Sequence, residues 1–216
     1  MALQRWHVLA PLTGVLFVAL VVAAFIIGGE TPDTNDSPQK ILDFYVDNGN
    51  SQLWAGAVLA WATVPLMFFL GVLRSTLHAA EGSIARLSAV AFGGGIVMIV
   101  GVLSFAGFSF TLGDVADDGL TPVAAQALNA LNSDFFFPVA VGTATLMIAT
   151  GIASLGSRAL PRWLAWPALV IGVVALTPAG FFAFLAFMLW TVATSILLWR
   201  ARSAEPPATA PAGPLG

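Results

Sequence analysis

Cysteine is absent from the 216 residues, which excludes disulfide frameworks, thiolate metal sites and cysteine nucleophiles. Charge is scarce as well: 9% of residues are charged, against about 25% in an ordinary soluble domain. Lysine and tyrosine occur once each, as Lys40 and Tyr45, and the two histidines are His7 and His78. So thin a basic complement leaves no nucleic-acid partner expected. What remains is apolar. Hydrophobic residues make up 58% of the chain, more than a soluble core can hide, and one membrane domain in a lipid bilayer is the economical reading.

A spanning helix needs about 20 mostly apolar residues, because the hydrocarbon layer is about 30 Å thick and a helix rises about 1.5 Å per residue. Six stretches qualify: about 8–28, 52–73, 87–111, 135–156, 162–178 and 181–199. The fifth is the shortest, and Thr177 to Gly180 ("TPAG") supplies the Pro and Gly of a tight hairpin before the sixth. The first run is longer than a signal-peptide core, and "FIIGGE" lacks an A-x-A cleavage pattern, so it is expected to stay as a span.

Orientation follows from the arginines, since positive residues are retained in the cytoplasm during insertion. Six spans place Arg5, Arg74, Arg86, Arg158, Arg162, Arg200 and Arg202 on one side and Lys40 alone on the other. Nine of the eleven acids lie with Lys40, the exceptions being Glu81 and Glu205. Both termini are therefore expected in the cytoplasm. Trp6, Trp54, Trp163, Trp166 and Trp199 fall near span ends, at headgroup level, whereas Trp61 and Trp190 lie deeper and read as packing residues.

Between the first two spans, Ser37 and Pro38 read as a helix N-cap and first position, and Asp47 to Gly49 as its end. Ile41, Leu42, Phe44, Tyr45 and Val46 share one arc, with Gln39, Lys40, Asp43 and Asp47 on the other, so the segment is amphipathic. The second outer loop repeats the device from Thr121 and Pro122, with Val123, Ala124, Ala127, Leu128 and Leu131 facing one way and Gln126, Asn129 and Asn132 the other. Helices this short are marginal in water, so each is expected on the lipid interface or on the span ends. An 84-residue offset aligns Gly29 with Gly113, Asp33 with Asp117, Ser37 with Thr121, Pro38 with Pro122, Asn48 with Asn132 and Arg74 with Arg158. The spans barely match. Duplication and shared physical constraint both account for such an alignment.

Away from their ends the six stretches hold no Asp, Glu, Lys, Arg or His. Ionisable groups at membrane depth mark ion paths and proton relays, so an ion-coupled pump is disfavoured. The polar groups left are the hydroxyls of Thr63, Ser104, Ser109, Thr143, Thr145, Thr150, Thr191, Thr194 and Ser195, expected to bond their own helix or a neighbour. No base stands near them to make a nucleophile. His7 and His78, at the arginine-side ends of the first two spans, invite a metal or haem, but two interfacial histidines are the simpler reading. Asp114 to Gly119 ("DVADDG") with Glu30, Asp33 and Asp36 lacks the ordered spacing of a calcium loop. Five glycines between Ala91 and Gly107, and the pairs Ala89/Gly93, Ala140/Ala144 and Ala149/Ala153, suit close helix packing within the bundle. Pro65 should kink the second span.

"FFLGVLRSTL" (Phe68 to Leu77) and "LPRWLAWPALVIGV" (Leu160 to Val173), with the Ser-Pro outer helix, resemble a family of uncharacterised six-span membrane proteins common in actinobacteria. The resemblance runs to about Arg202 and implies a multi-pass plasma-membrane protein; its motifs mark span ends and carry no catalytic residues. The sequence thus specifies an all-α polytopic membrane protein, a six-helix transmembrane bundle with two short amphipathic helices on the outer face. Residues 1–202 form that domain, and 203–216 form a disordered, Pro- and Ala-rich cytoplasmic tail. No catalytic, cofactor-binding or metal-ligating set is assigned, and neither enzyme activity nor a cofactor is expected. The function read from this is an interaction or accessory subunit with a membrane-protein partner; the alternative is a small carrier or binder of an apolar or neutral solute.

Overall fold

The computed structural model describes residues 2–82 and 85–204. The tail beyond Ala204 lies outside the described residues; Ser203, counted with it on sequence, closes the last helix. The described chain is all-helical: α1 (Ala2–Leu9), a 3-10 turn (Ala10–Leu12), α2 (Thr13–Gly28), α3 (Pro38–Glu81), α4 (Arg86–Val115), α5 (Pro122–Asp134), α6 (Phe136–Ser157), α7 (Arg162–Val174) and α8 (Gly180–Ser203). The starts of α3 and α5 follow the expected chemistry. Ser37 and Thr121 are N-caps whose hydroxyls accept from the N–H of Lys40 and Ala124, each with a proline at the first helical position.

Among the described residues, five helical units are long and apolar enough to cross a membrane: Trp6–Gly28, Pro38–Glu81, Arg86–Val115, Pro122–Ser157 and Gly180–Ser203. The remaining apolar helix, α7, has 13 residues and is about 20 Å long. It nevertheless runs the course of α6 backwards. Gly172 packs on Ile148 and Ala144, and past the turn Gly180 lies against Ala175 and Phe136, at the start of α6.

One boundary differs from expectation. Asp47 to Gly49 does not end a helix; α3 continues through it for 44 residues, about 66 Å and twice the hydrocarbon thickness. The reason is packing. A Cβ on Gly49 would stand 2.8 Å from the carbonyl oxygen of Gly113, so the glycine is used for close approach and not for a turn. Asn48 turns its side chain back to the carbonyl of Phe44 at 2.9 Å without breaking the helix. The segment expected as a separate short helix is thus the N-terminal overhang of the long helix α3, and α5 abuts α6 in the same way, with Phe135 between them.

Helix α4 is central, packed between α3 and α6; α2 lies against α3, α7 against α6, and α8 reaches both α2 and α7. Its contacts are made backbone to backbone. Cβ atoms added at Gly56, Gly94 and Gly101 would lie 2.7 Å from Ala106 O, 2.5 Å from Leu146 N and 2.7 Å from Val139 N, and one at Gly142 would collide with Met98 N. The glycines of α4 divide accordingly. Gly94, Gly95 and Gly101 face neighbours, while Gly93 and Gly107 meet nothing within 4 Å. Gly101→Leu and Gly142→Leu should therefore overpack the α4–α6 contact and cost about 1–3 kcal/mol or more. Gly93→Ala and Gly107→Ala should be neutral or stabilising by up to about 1 kcal/mol. Thermal unfolding in detergent distinguishes the pairs, and equal shifts for both would contradict the packing described.

Candidate functional site

The end of the molecule that carries the acidic residues is built from the overhang of α3, helix α5 and the loop at 29–37. Ile41 and Tyr45 of α3 are fully buried against Leu112, Ala116 and Ala125. Lys40, Asp43 and Asp47 face solvent, as their arc predicts. Lys40 Nζ pairs with Asp36 Oδ1 at 2.8 Å, an exposed contact of little energetic weight.

Helix α5 is turned the other way from expectation. Val123 is 71% exposed and Leu131 also points outward, whereas Asn129 and Asn132 are buried at 2% and 5%. The amides win the interior because it holds polar groups that only they can reach. Tyr45 Oη donates to Asn129 Oδ1 at 2.7 Å, and Asn129 Nδ2 donates to the carbonyl of Pro32 at 3.3 Å. Gln126 Nε2 donates to the carbonyl of Asp36 at 3.4 Å, and Asn132 Nδ2 to Ser109 Oγ at 3.3 Å. Gln52 of α3, 2% exposed, donates from Nε2 to the carbonyl of Gly28 at 2.6 Å. Uncharged amides thereby tie the overhang, α5 and the loop into one cap. The sequence reading missed Gln52, Asn129 and Asn132 as interior groups. The 84-residue offset was the available signal, since it is also the spacing of Tyr45 and Asn129.

Beneath the loop a cleft of about 350 Å³ opens between α2, α3, α4 and the start of α8. Gln52, Ser109 and Thr31 supply its polar wall, Phe25, Phe105 and Phe181 its apolar one, and Glu30 lines it from the loop.

The other sequence candidates do not assemble. Asp33 Oδ1 accepts from the backbone and side chain of Asn35, and Asp36 Oδ2 from the N–H of Asp33, so the acidic loop bonds itself. Among the described residues no group of three or more His, Asp or Glu side chains comes together to hold a metal. Of the hydroxyls, Thr63, Ser104 and Thr145 bond carbonyls of their own helices. Thr143, Thr150, Thr191, Thr194 and Ser195 are buried without a described partner, contrary to expectation. Two of them pack on a glycine: Ser195 and Thr191 fit over Gly14, where a Cβ would collide with the serine hydroxyl. Trp190 is a packing residue as expected, donating from Nε1 to the carbonyl of Leu164 at 2.9 Å. Trp61 is not; it is 56% exposed and stacks edge-on with Trp54 at the surface. Pro65 is buried inside an unbroken α3.

Comparison with known proteins returns nothing: no family model matches the chain, and no curated protein or solved structure matches it.

Burial pushes the Tyr45 phenol up from 10.0 to about 12. The neutral form is the one the fold favours. Stability from this group is therefore complete below pH 10.0 and is lost as the pH rises towards about 12. Because the chain has a single tyrosine, phenolate absorbance reports this group alone. The folded protein should titrate near 12 and the denatured chain near 10; coincident curves would mean an exposed phenol. Tyr45→Phe should cost about 1–3 kcal/mol by leaving the Asn129 oxygen buried and unpaired.

Proposed function

We propose that this chain is a six-span protein of the plasma membrane with both termini in the cytoplasm, an accessory subunit that acts through contacts and catalyses no reaction. The observation that carries it is the cap. It is an exposed surface held in one shape by amide hydrogen bonds, which lowers the ordering cost of binding a partner.

The course of α7 supports a sixth crossing. Its 13 residues and the following turn lead from the end of α6 back to its start, and a membrane thins or a flanking residue snorkels to accommodate a short span. Helix α8 then returns to the N-terminal region, where Arg202 Nη1 donates to the carbonyl of His7 at 3.0 Å. The arginine asymmetry supports the orientation, and the resemblance to six-span actinobacterial membrane proteins supports the plasma membrane. A carrier with a mid-membrane path draws no support from Thr63, Ser104 and Thr145, whose hydroxyls are spent on their own helices.

Reporter fusions at Asn35 and Thr177 should read exterior, and fusions at Ser157 and after Trp199 cytoplasmic. A fusion after Trp199 that reads exterior would remove the sixth crossing. Photocrosslinkers at Val46 and Val123, both exposed on the cap, should capture a discrete membrane-protein partner in cells. Repeated recovery of uncrosslinked protein from both positions would defeat the subunit reading.

A further inference from the structure

We propose that the cleft beneath the 29–37 loop is a binding site for a neutral membrane lipid with a hydroxyl or amide headgroup. In the polar wall the two buried side chains, Gln52 and Ser109, offer one acceptor and one donor, and Thr31 adds a hydroxyl from the loop. Gln52 commits Nε2 to the carbonyl of Gly28, which orients the amide and leaves Oε1 with no hydrogen bond from a described residue. Ser109 accepts from Asn132, and its own proton goes to no described group. Both side chains are more than nine-tenths buried, at 2% and 6% exposure. Gln52 Oε1 is left able to accept and the Ser109 hydroxyl able to donate, and an alcohol or amide, which donates and accepts at once, answers both.

Charge sets the class further. Among the described residues no Lys, Arg or His lines the cleft, and Glu30 does. A phosphate or carboxylate headgroup would meet repulsion there without a counter-ion. Lys40, the cation beside the loop among the described residues, is already paired with Asp36. The apolar wall suits an acyl or isoprenoid chain. Phe25 and Phe181 each belong both to the cleft and to the exposed surface of the bundle, so a chain enters sideways between α2 and α8. A volume of about 350 Å³ lies in the lower part of the range for small-molecule sites, enough for a headgroup and the first part of a chain.

The inference rests on the membrane placement proposed above, but its test does not depend on topology. Full-length protein in mild detergent is offered monooleoylglycerol, oleate and lysophosphatidic acid in competition, and the retained lipid is read by native mass spectrometry. Monooleoylglycerol should be preferred over both anions by about tenfold or more, the equivalent of one net hydrogen bond. Gln52→Leu with Ser109→Ala should lower monooleoylglycerol retention by about tenfold, while Ser104→Ala, on a hydroxyl outside the cleft, should leave it unchanged. Ala24→Phe fills the cleft from α2 with both polar groups intact, and should abolish retention. Equal retention of oleate, no retention of any lipid, or undiminished binding by a folded Ala24→Phe variant would overturn the proposal. If the variants do not fold, the competition on the wild-type protein decides. Should the fusions contradict the topology while monooleoylglycerol binding persists, the placement fails and the lipid site stands.

Discussion

Lipid tails are as apolar as leucine, so helices in a bilayer gain nothing by hiding leucine from lipid; what holds them together is how closely they pack. In this chain closeness is set by missing side chains. Gly49 faces Gly113, Gly56 faces the backbone of α4, and Gly94, Gly101 and Gly142 let α4 and α6 touch main chain to main chain. Everything else depends on α4 sitting at that distance from both neighbours. The overhang of α3 reaches the end of α4 because Gly49 permits it, and Leu112 and Ala116 of α4 then cover Ile41 and Tyr45. The cap is in this sense a consequence of the glycine seam below it.

Polarity in the cap is arranged to avoid buried charge. Its interior holds Gln52, Asn129, Asn132, Ser109 and Tyr45, and each satisfies a neighbour's donor or acceptor without the several kcal/mol that an ion would lose on leaving water. The carboxylates of Asp33 and Asp36 bond their own loop or Lys40, and that of Asp43 accepts from Gln39 on the same helix. An apolar core would have closed this end equally well. It would not have fixed the loop, whose carbonyls at Pro32 and Asp36, with that of Gly28 at the end of α2 just before it, are taken by amides from other elements. The loop is therefore positioned by side chains that arrive from α3 and α5, and the cleft below it inherits its roof from them.

Long apolar runs, N-caps and the split between arginine and acid were legible in the sequence because each follows from residue type and local spacing. Ser37 and Thr121 cap as read, and Lys40, Asp43 and Asp47 face out as read. Two misreadings come from the assumption that apolar residues face inward. Where the surroundings are lipid, that assumption has no force, and Trp61 points outward. In the cap it yields to the polar groups of the interior, so α5 exposes Val123 and Leu131 while burying Asn129 and Asn132. The failure at Asp47 to Gly49 is of another kind. A local turn signal was overridden by a contact 64 positions away, between Gly49 and Gly113, and no local pattern reports such a contact. The site was illegible for the same reason, since Gln52 and Ser109 meet only through the packing of α3 on α4.

The 84-residue offset is best understood from these contacts. It relates Ser37 to Thr121 as caps and separates Tyr45 from Asn129, which bond each other across the two overhangs. Each hairpin also has an amide clamping its second helix to its first: Gln52 on Gly28, and Asn132 on Ser109. These amides are not 84 apart, and the register slips by a turn. In the spans the likeness ends. Gly56, which lets α3 approach α4, has Ala140 at its offset partner, and the contact of α6 with α4 is carried instead by Gly142. A hairpin that must cap a helix and tie it back without charge is served by the same few residues each time, so duplication and a shared constraint both account for caps that agree, while the spans differ where their neighbours do.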